Sequence, residues 1–395
     1  MHMSTEGHAN ACCVAHHALP IAKSVAGKTF PEIWISKEYK TMRHDMLSGE
    51  RVARCEICYK QDEQGGGSDR QTHNRYFNPP TDEWDIDVDK GNTDGHPVWV
   101  DLRPGRFCNL GCRMCFVSTS SKVADDHRMH PELSEITGEG WYDINEWIDD
   151  PKMYASLQEL IPTLSSIKLA GGEPLFMPGV IKLLRWCVES NNTHLSLDIT
   201  TNGTRTNGKI ISWLGKFNSV FIQFSIDGIG YTNDYIRWPS EWKLIDKAYD
   251  MYIAADNVKT LNILSTVQMY NIFDLPNIID YWKDKGAHDK LVFNFVNWPR
   301  DLSVDILPLS DRLDIAEKIE EKTLDLPHDV RQQCRIDALL FRLRQQVDLA
   351  DINKLRLNFA KRTKKYDELR MQDIGKVHVK LKEYVEQWIQ IENPK

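Results

Sequence analysis

Three features of residues 96–300 predict an α/β fold built as a partial (β/α)6 barrel of the TIM type. Short apolar runs alternate with helical patterns, the first run ends in a loop carrying three cysteines, and later runs end in glycine turns. That order gathers the chemistry at the C-terminal ends of the strands, where barrel sites are built. Residues 1–95 are expected to form a cysteine-rich module and linker, and residues 301–395, with almost no glycine until Gly375, a helical C-terminal extension. At 395 residues the chain is long enough for two or more domains with substantial cores.

Composition narrows the function. No run of about 18 apolar residues occurs, and Met1 to Asn10 lacks the apolar block of a signal peptide, so a cytoplasmic protein without membrane contact is expected. A formal net charge of −8 argues against a nucleic-acid partner. The basic stretch from Arg331 to Lys365 is interleaved with Asp and Glu and reads as a solvated helix face. Nine cysteines in a reducing compartment point to metal ligands or buried thiols, and seven of the nine precede residue 116, which favours ligands. Cys187 and Cys334 fall in helical patterns and read as packing.

Taken in order, Cys12 and Cys13 precede an amphipathic stretch around Phe30 to Glu50, and Cys55-Glu-Ile-Cys58 follows it. The helical spacing between them is expected to return Cys12 and Cys13 to the side of the CxxC turn, a geometry that suits a metal. Adjacent residues project apart, so only one of Cys12 and Cys13 is expected to join Cys55 and Cys58, and a resemblance in module pattern favours Cys12. A glycine turn at Gln64 to Gly67 and an acidic, Pro- and Gly-punctuated linker from Asn78 to Asp94 mark the boundary.

Strands are expected at 98–103, 165–170, 194–200, 220–228, 260–267 and 291–297. The first leads into Cys108-Asn-Leu-Gly-Cys112-Arg-Met-Cys115, flanked by Arg103 and Arg106. Three thiolates on one short loop can hold three corners of a [4Fe–4S] cube and leave the fourth iron open, whereas a structural zinc site normally takes four protein ligands. The second strand ends in Gly171-Gly172-Glu173-Pro174, the third in Thr201-Asn202-Gly203, and the fourth in Ser225-Ile-Asp227-Gly228. Two glycines allow close backbone approach, and the Glu173 carboxylate suits an ammonium group. Asn202-Gly203 reads equally as a simple turn. Ser225 and Asp227 share a face of their strand and carry oxygens suited to ribose hydroxyls. The long connection 116–164 contains an aromatic-acidic patch, Trp141 to Trp147, that reads as a lid, a substrate shelf or a surface helix.

The CxxxCxxC spacing after a first strand, followed in order by GGEP, TNG and SIDG at successive strand ends, resembles the radical S-adenosylmethionine (radical SAM) family. The Cys-Cys…CxxC segment resembles the auxiliary-cluster module called twitch or SPASM, which usually follows the barrel and here precedes it. The resemblance implies a [4Fe–4S] cluster on Cys108, Cys112 and Cys115, SAM held by Gly171, Gly172 and Glu173 at its amine, and Asn202, Ser225 and Asp227 near its methionine and ribose parts. Val267 is a candidate for the adenine wall or is ordinary core. It further implies a second, auxiliary iron–sulfur cluster drawing on Cys12, Cys13, Cys55 and Cys58, and an external electron donor of the flavodoxin or ferredoxin type. The implied activity is reductive cleavage of SAM to a 5′-deoxyadenosyl radical that abstracts hydrogen from a peptide, protein or small-molecule substrate. The alternative from another class is a zinc-stabilised binding scaffold without radical chemistry.

Overall fold

The computed structural model describes residues 1–17, 21, 25–63, 68–76, 86–87, 89–144 and 146–392. One sheet contains β1 (His2–Met3), β2 (Ala9–Asn10), β3 (Trp99–Leu102), β4 (Ser166–Leu169), β5 (Ser196–Thr201), β6 (Ser219–Ser225), β7 (Val258–Val267) and β8 (Leu291–Phe295). Its order is β8-β7-β6-β5-β4-β3-β1-β2. From β3 to β8 every neighbour pairs in parallel. These six strands lie within three residues of the bounds expected from sequence.

Alternation explains the layering. Leu197 and Ile199 of β5 and Val220, Ile222 and Phe224 of β6 are buried, and they join one core with Leu183, Leu184, Ile210, Tyr249 and Tyr252 from the intervening helices. Helix Pro178–Glu189 buries Val180, Leu183, Leu184 and Cys187, the i, i+3, i+4, i+7 stripe of an amphipathic helix. Each such leucine or valine stabilises the fold by roughly 1.5–3 kcal/mol when fully buried. Polar side chains at intervening positions pair across the strands: Lys168 lies 3.1 Å from Asp198, and Gln223 donates to the same carboxylate at 2.9 Å.

The sheet crosses the boundary expected at residue 95. β1 pairs in parallel with β3, His2 beside Asp101 and Met3 beside Leu102, and β2 pairs antiparallel with β1. Strands of two residues carry no periodicity, so nothing in the pattern announced them. Beyond this hairpin come helices Phe30–Trp34 and Lys37–Leu47, the first opened by a capping box between Thr29 and Glu32. The buried Tyr39 hydroxyl donates to Asn10 O at 2.7 Å, which ties the second helix to the chain just before Cys12. The Gln64 to Gly67 turn and the Asn78 to Asp85 part of the linker lie outside the described residues.

Helices Leu309–Thr323, Ile336–Arg344, Ile352–Arg370 and Val379–Trp388 build the C-terminal extension. The Arg331 to Lys365 stretch is not wholly a solvated face: Arg362 is buried and pairs with Asp301 at 2.7 Å, since a buried guanidinium needs a counter-charge. No helix among the described residues is long and apolar enough to cross a membrane.

Candidate active site

After β3 the chain runs past the turn that closes β4, and the two are zipped together. Gly172 N donates to Gly105 O at 3.2 Å and Glu173 N to Phe107 O at 2.8 Å. The close approach needs glycine. A Cβ on Gly172 would stand 2.3 Å from Phe107 O, and Gly171 adopts φ +113°. Here the glycines of GGEP make room for the cysteine loop itself.

The loop turns back on itself at the cysteines. Cys108 N donates to Ser121 Oγ at 3.0 Å, and that hydroxyl donates back to Cys108 O at 3.2 Å. Donors converge on the sulfurs: Leu110 N lies 3.4 Å and Asn202 Nδ2 4.0 Å from Cys108 Sγ, and Arg237 Nη1 lies 3.8 Å from Cys112 Sγ. Cys112 is held below the usual thiol range by a hydrogen bond shared with Cys115, with the Arg237 guanidinium acting in the same direction. That shared bond and burial push Cys115 up, and burial pushes Cys108 up to about 12. The donors are those that anionic sulfur prefers.

Glu173 and Asp227 are fully buried, each already engaged by the protein. Glu173 Oε1 accepts from Leu175 N at 3.1 Å and Thr201 Oγ1 at 2.9 Å, and Oε2 accepts from Asn202 N at 2.7 Å. Burial nevertheless pushes its carboxyl up to about 7. Glu173 thereby locks the turn after β5, where a Cβ on Gly203 would strike the Phe224 ring at 2.1 Å. Asn202 in turn donates to Asn109 Oδ1 at 3.0 Å and so joins that turn to the cysteine loop. Asp227 accepts from Thr266 N at 2.7 Å and pairs with Arg237 at 2.7 Å, so its charge aims a cation at Cys112. Ser225 is half-buried at the end of β6, and Val267 is buried in the core at the end of β7.

Two residues of this site were missed in the sequence. Arg237 had a signal, because a carboxylate closing a buried strand needs a cation and Arg237 is the next arginine after Asp227. Glu146 lies in the aromatic-acidic patch, whose described part is not a regular helix before Trp147. Its Oε1 accepts from Arg106 N at 3.1 Å and Phe107 N at 3.0 Å, and Trp147 Nε1 donates to Ser4 O and Arg103 O at 2.9 Å. The patch therefore props the entry to the cysteine loop. Arg106 is buried and donates to Val117 O at 3.0 Å.

The N-terminal cysteines divide between two cavities. Cys12, Cys55 and Cys58 line one of about 250 Å³ with Trp34, Asp69 and His73. Cys13 lines another of about 740 Å³ at the mouth of the barrel, with Arg103, Phe116, Gly171, Phe295 and Trp298. Burial pushes Cys13 up to about 11 and also raises Cys12 and Cys55. Arg70 pairs with Asp62 at 2.6 Å and packs on Tyr59. No three His, Cys, Asp or Glu side chains among the described residues are grouped to hold a single metal ion.

Residues 102–279 match the family model of the Radical SAM superfamily. The matched stretch is 178 of the chain's 395 residues, a little under half. It runs from the end of β3 into helix Leu275–Asp284 and contains Cys108, Cys112, Cys115, Gly171, Gly172, Glu173, Asn202, Ser225, Asp227 and Val267. Cys12, Cys13, Cys55 and Cys58 lie outside the matched stretch. The sporulation killing factor maturation protein SkfB of Bacillus subtilis (strain 168) is 25% identical over 149 residues, covering 37% of this chain and 30% of that protein. The chain thus matches under a third of the length of that curated relative. Among solved structures, anSMEcpe with bound AdoMet has a TM-score of 0.39 at 16% identity, with 56% of this chain and 59% of that chain covered. Streptococcus suis SuiB bound to precursor peptide SuiA has a TM-score of 0.38 at 12% identity, with 73% and 64% covered.

Proposed function

We propose that this chain is a radical SAM enzyme in which Cys108, Cys112 and Cys115 hold a [4Fe–4S] cluster with one iron open to S-adenosylmethionine. The observation that carries the reading is one short loop bearing three cysteines, with the Glu173-locked turn reaching Cys108 and the Asp227–Arg237 pair reaching Cys112 at one end of a parallel sheet. The donor set fits the group. Three cysteines on one loop leave a corner vacant, and N–H donors lie near the sulfurs of Cys108 and Cys112. When bound, the cluster supplies one electron that splits SAM into methionine and a 5′-deoxyadenosyl radical, which takes a hydrogen atom from the substrate.

The chain's own part is placement and exclusion of water. Gly171 and Gly172 hold the backbone close to the cysteine loop, and Asn202 and Ser225 offer polar groups to the carboxylate and ribose of SAM. Glu173 acts on the SAM amine through the turn it fixes, and Asp227 orients Arg237. Val267 closes the adenine side.

A peptide is the substrate class we favour. The support is a relative named for maturation of a killing factor and the mouth cavity of about 740 Å³, whose aromatic rim suits side chains. Cys12, Cys55 and Cys58 are assigned to an auxiliary iron–sulfur cluster in the smaller cavity, with Cys13 left facing the mouth. An external flavodoxin- or ferredoxin-type donor in the cytoplasm completes the scheme.

The test is anaerobic reconstitution with iron and sulfide, followed by iron counting and assay of dithionite-dependent 5′-deoxyadenosine release. About eight irons per chain and release of the nucleoside are expected for two clusters. Protein that takes up zinc alone and leaves SAM intact overturns the reading.

A further inference from the structure

The C-terminal extension reaches the cysteine loop through buried charge. Arg113, between two of the three cysteines, is fully buried. It donates through Nε to Tyr235 O at 3.0 Å and through Nη2 to Asp367 Oδ1 at 2.7 Å and Gln372 Oε1 at 2.9 Å. Tyr235 donates its hydroxyl to the same Asp367 oxygen at 2.7 Å, and Ile374 N donates to the other at 2.9 Å. Helix Ile352–Arg370 is thereby clamped onto the loop from outside the barrel.

Arg370 ends that helix, buried, against the loop. Its Nη2 donates to Asp126 Oδ2 at 2.9 Å, and a Cβ on Gly111 would stand 3.1 Å from the same nitrogen. The guanidinium also lies 4.2 Å from the ring centre of Tyr366 and 5.0 Å from that of Trp238. Its Nε and Nη1 have no hydrogen-bond partner among the described residues. Leaving donors of a buried cation unpaired is costly, and packing alone does not require it. A guanidinium keeps its charge when buried, and solvent screens it little there.

Resting on the function proposed above, we infer that Arg370 is a positioning residue for the cluster, its charge beside Gly111 making an iron–sulfur group on the loop easier to reduce. Asp126 opposes it. The thiolate-bound cluster gains negative charge on reduction, so a nearby cation favours the reduced form and a nearby carboxylate the oxidised form.

The experiment is a potentiometric titration of the reconstituted full chain, read by electron paramagnetic resonance of the reduced cluster on Cys108, Cys112 and Cys115 in a Cys55→Ala/Cys58→Ala background. Arg370→Gln is expected to lower the reduced-to-oxidised ratio at a fixed potential about tenfold, a fall of about 59 mV for one electron. Arg370→Lys should restore the wild-type ratio to within about threefold, a shift of under about 30 mV. Asp126→Asn should move the ratio the other way, and opposite signs are not produced by simple loosening of the loop. An unmoved ratio in Arg370→Gln overturns the inference. Should that variant take up no iron, Asp126→Asn decides, and an unchanged or lowered ratio there overturns it. A background protein with no reducible signal overturns the proposed function, and the inference with it.

Discussion

Glu146→Ala removes the carboxylate that holds the amides of Arg106 and Phe107 at 3.1 and 3.0 Å, just before the first cysteine. Hydrogen bonds to a charged acceptor contribute about 1.5–3 kcal/mol each. Burial pushes this carboxyl up to about 7, so near neutral pH it is partly protonated and the two bonds together are better set at about 2–4 kcal/mol. The loss is local, because both amides belong to one loop. At 1.4 kcal/mol per factor of ten, hydrogen exchange at those two amides should speed by about 30- to 1,000-fold. Mass-spectrometric exchange on peptides spanning 103–108 reads this directly. Glu146→Gln keeps an acceptor oxygen and should recover about half of the protection. Wild-type exchange in Glu146→Ala would refute the idea that the aromatic-acidic patch holds the loop.

Four further outcomes follow from the site. Cys112→Ala should abolish 5′-deoxyadenosine formation; retained formation would remove the cluster from that loop. Replacing Cys55 and Cys58 together should cost about four irons per chain, and loss of zinc alone would show that the metal was misassigned. Gly172→Ala places a Cβ 2.3 Å from Phe107 O, so an unfolding free energy lower by about 1–3 kcal/mol, read as a lower urea midpoint, and weaker SAM binding are expected, and a wild-type midpoint would contradict the zipped geometry. Glu173 titrates near 7 in the fold against 4.5 as a free group, so the native state binds this proton more tightly than the unfolded chain. Its contribution to stability is full below about pH 4.5 and is lost as the pH rises through about 7; Glu173→Gln should flatten the fall in urea midpoint over that window in the metal-free protein.

The six parallel strands were legible because runs such as Val220 to Ser225 place a buried apolar residue at every second position over enough length to register. The cysteine spacing and the glycine turns could be placed because each follows such a strand. The hairpin of β1 and β2 was not legible, since two residues make no pattern and its partner lies about a hundred residues away. The glycines of GGEP were readable as points of close approach, whereas the carbonyls of Arg106 and Phe107 that Gly172 approaches were not. Arg237 and Glu146 act at a distance in sequence from the groups they serve, and only folding brings them there. Cys12 and Cys13 illustrate the same limit: the alternation that sends neighbouring side chains apart was readable, whereas the cavity each one enters depends on how the hairpin docks.

That docking has a practical consequence for anyone trimming the polypeptide. Asp101 N and Arg103 N donate to Met1 O and Met3 O, both at 2.9 Å, so the leading residues cap the outer rim of the first long strand. Starting expression at residue 96 would strip this cap and present bare backbone groups as a template for other molecules. Aggregation of such a fragment, cured by restoring the first ten residues, would mark the minimal foldable unit as one that reaches back to the start of the chain.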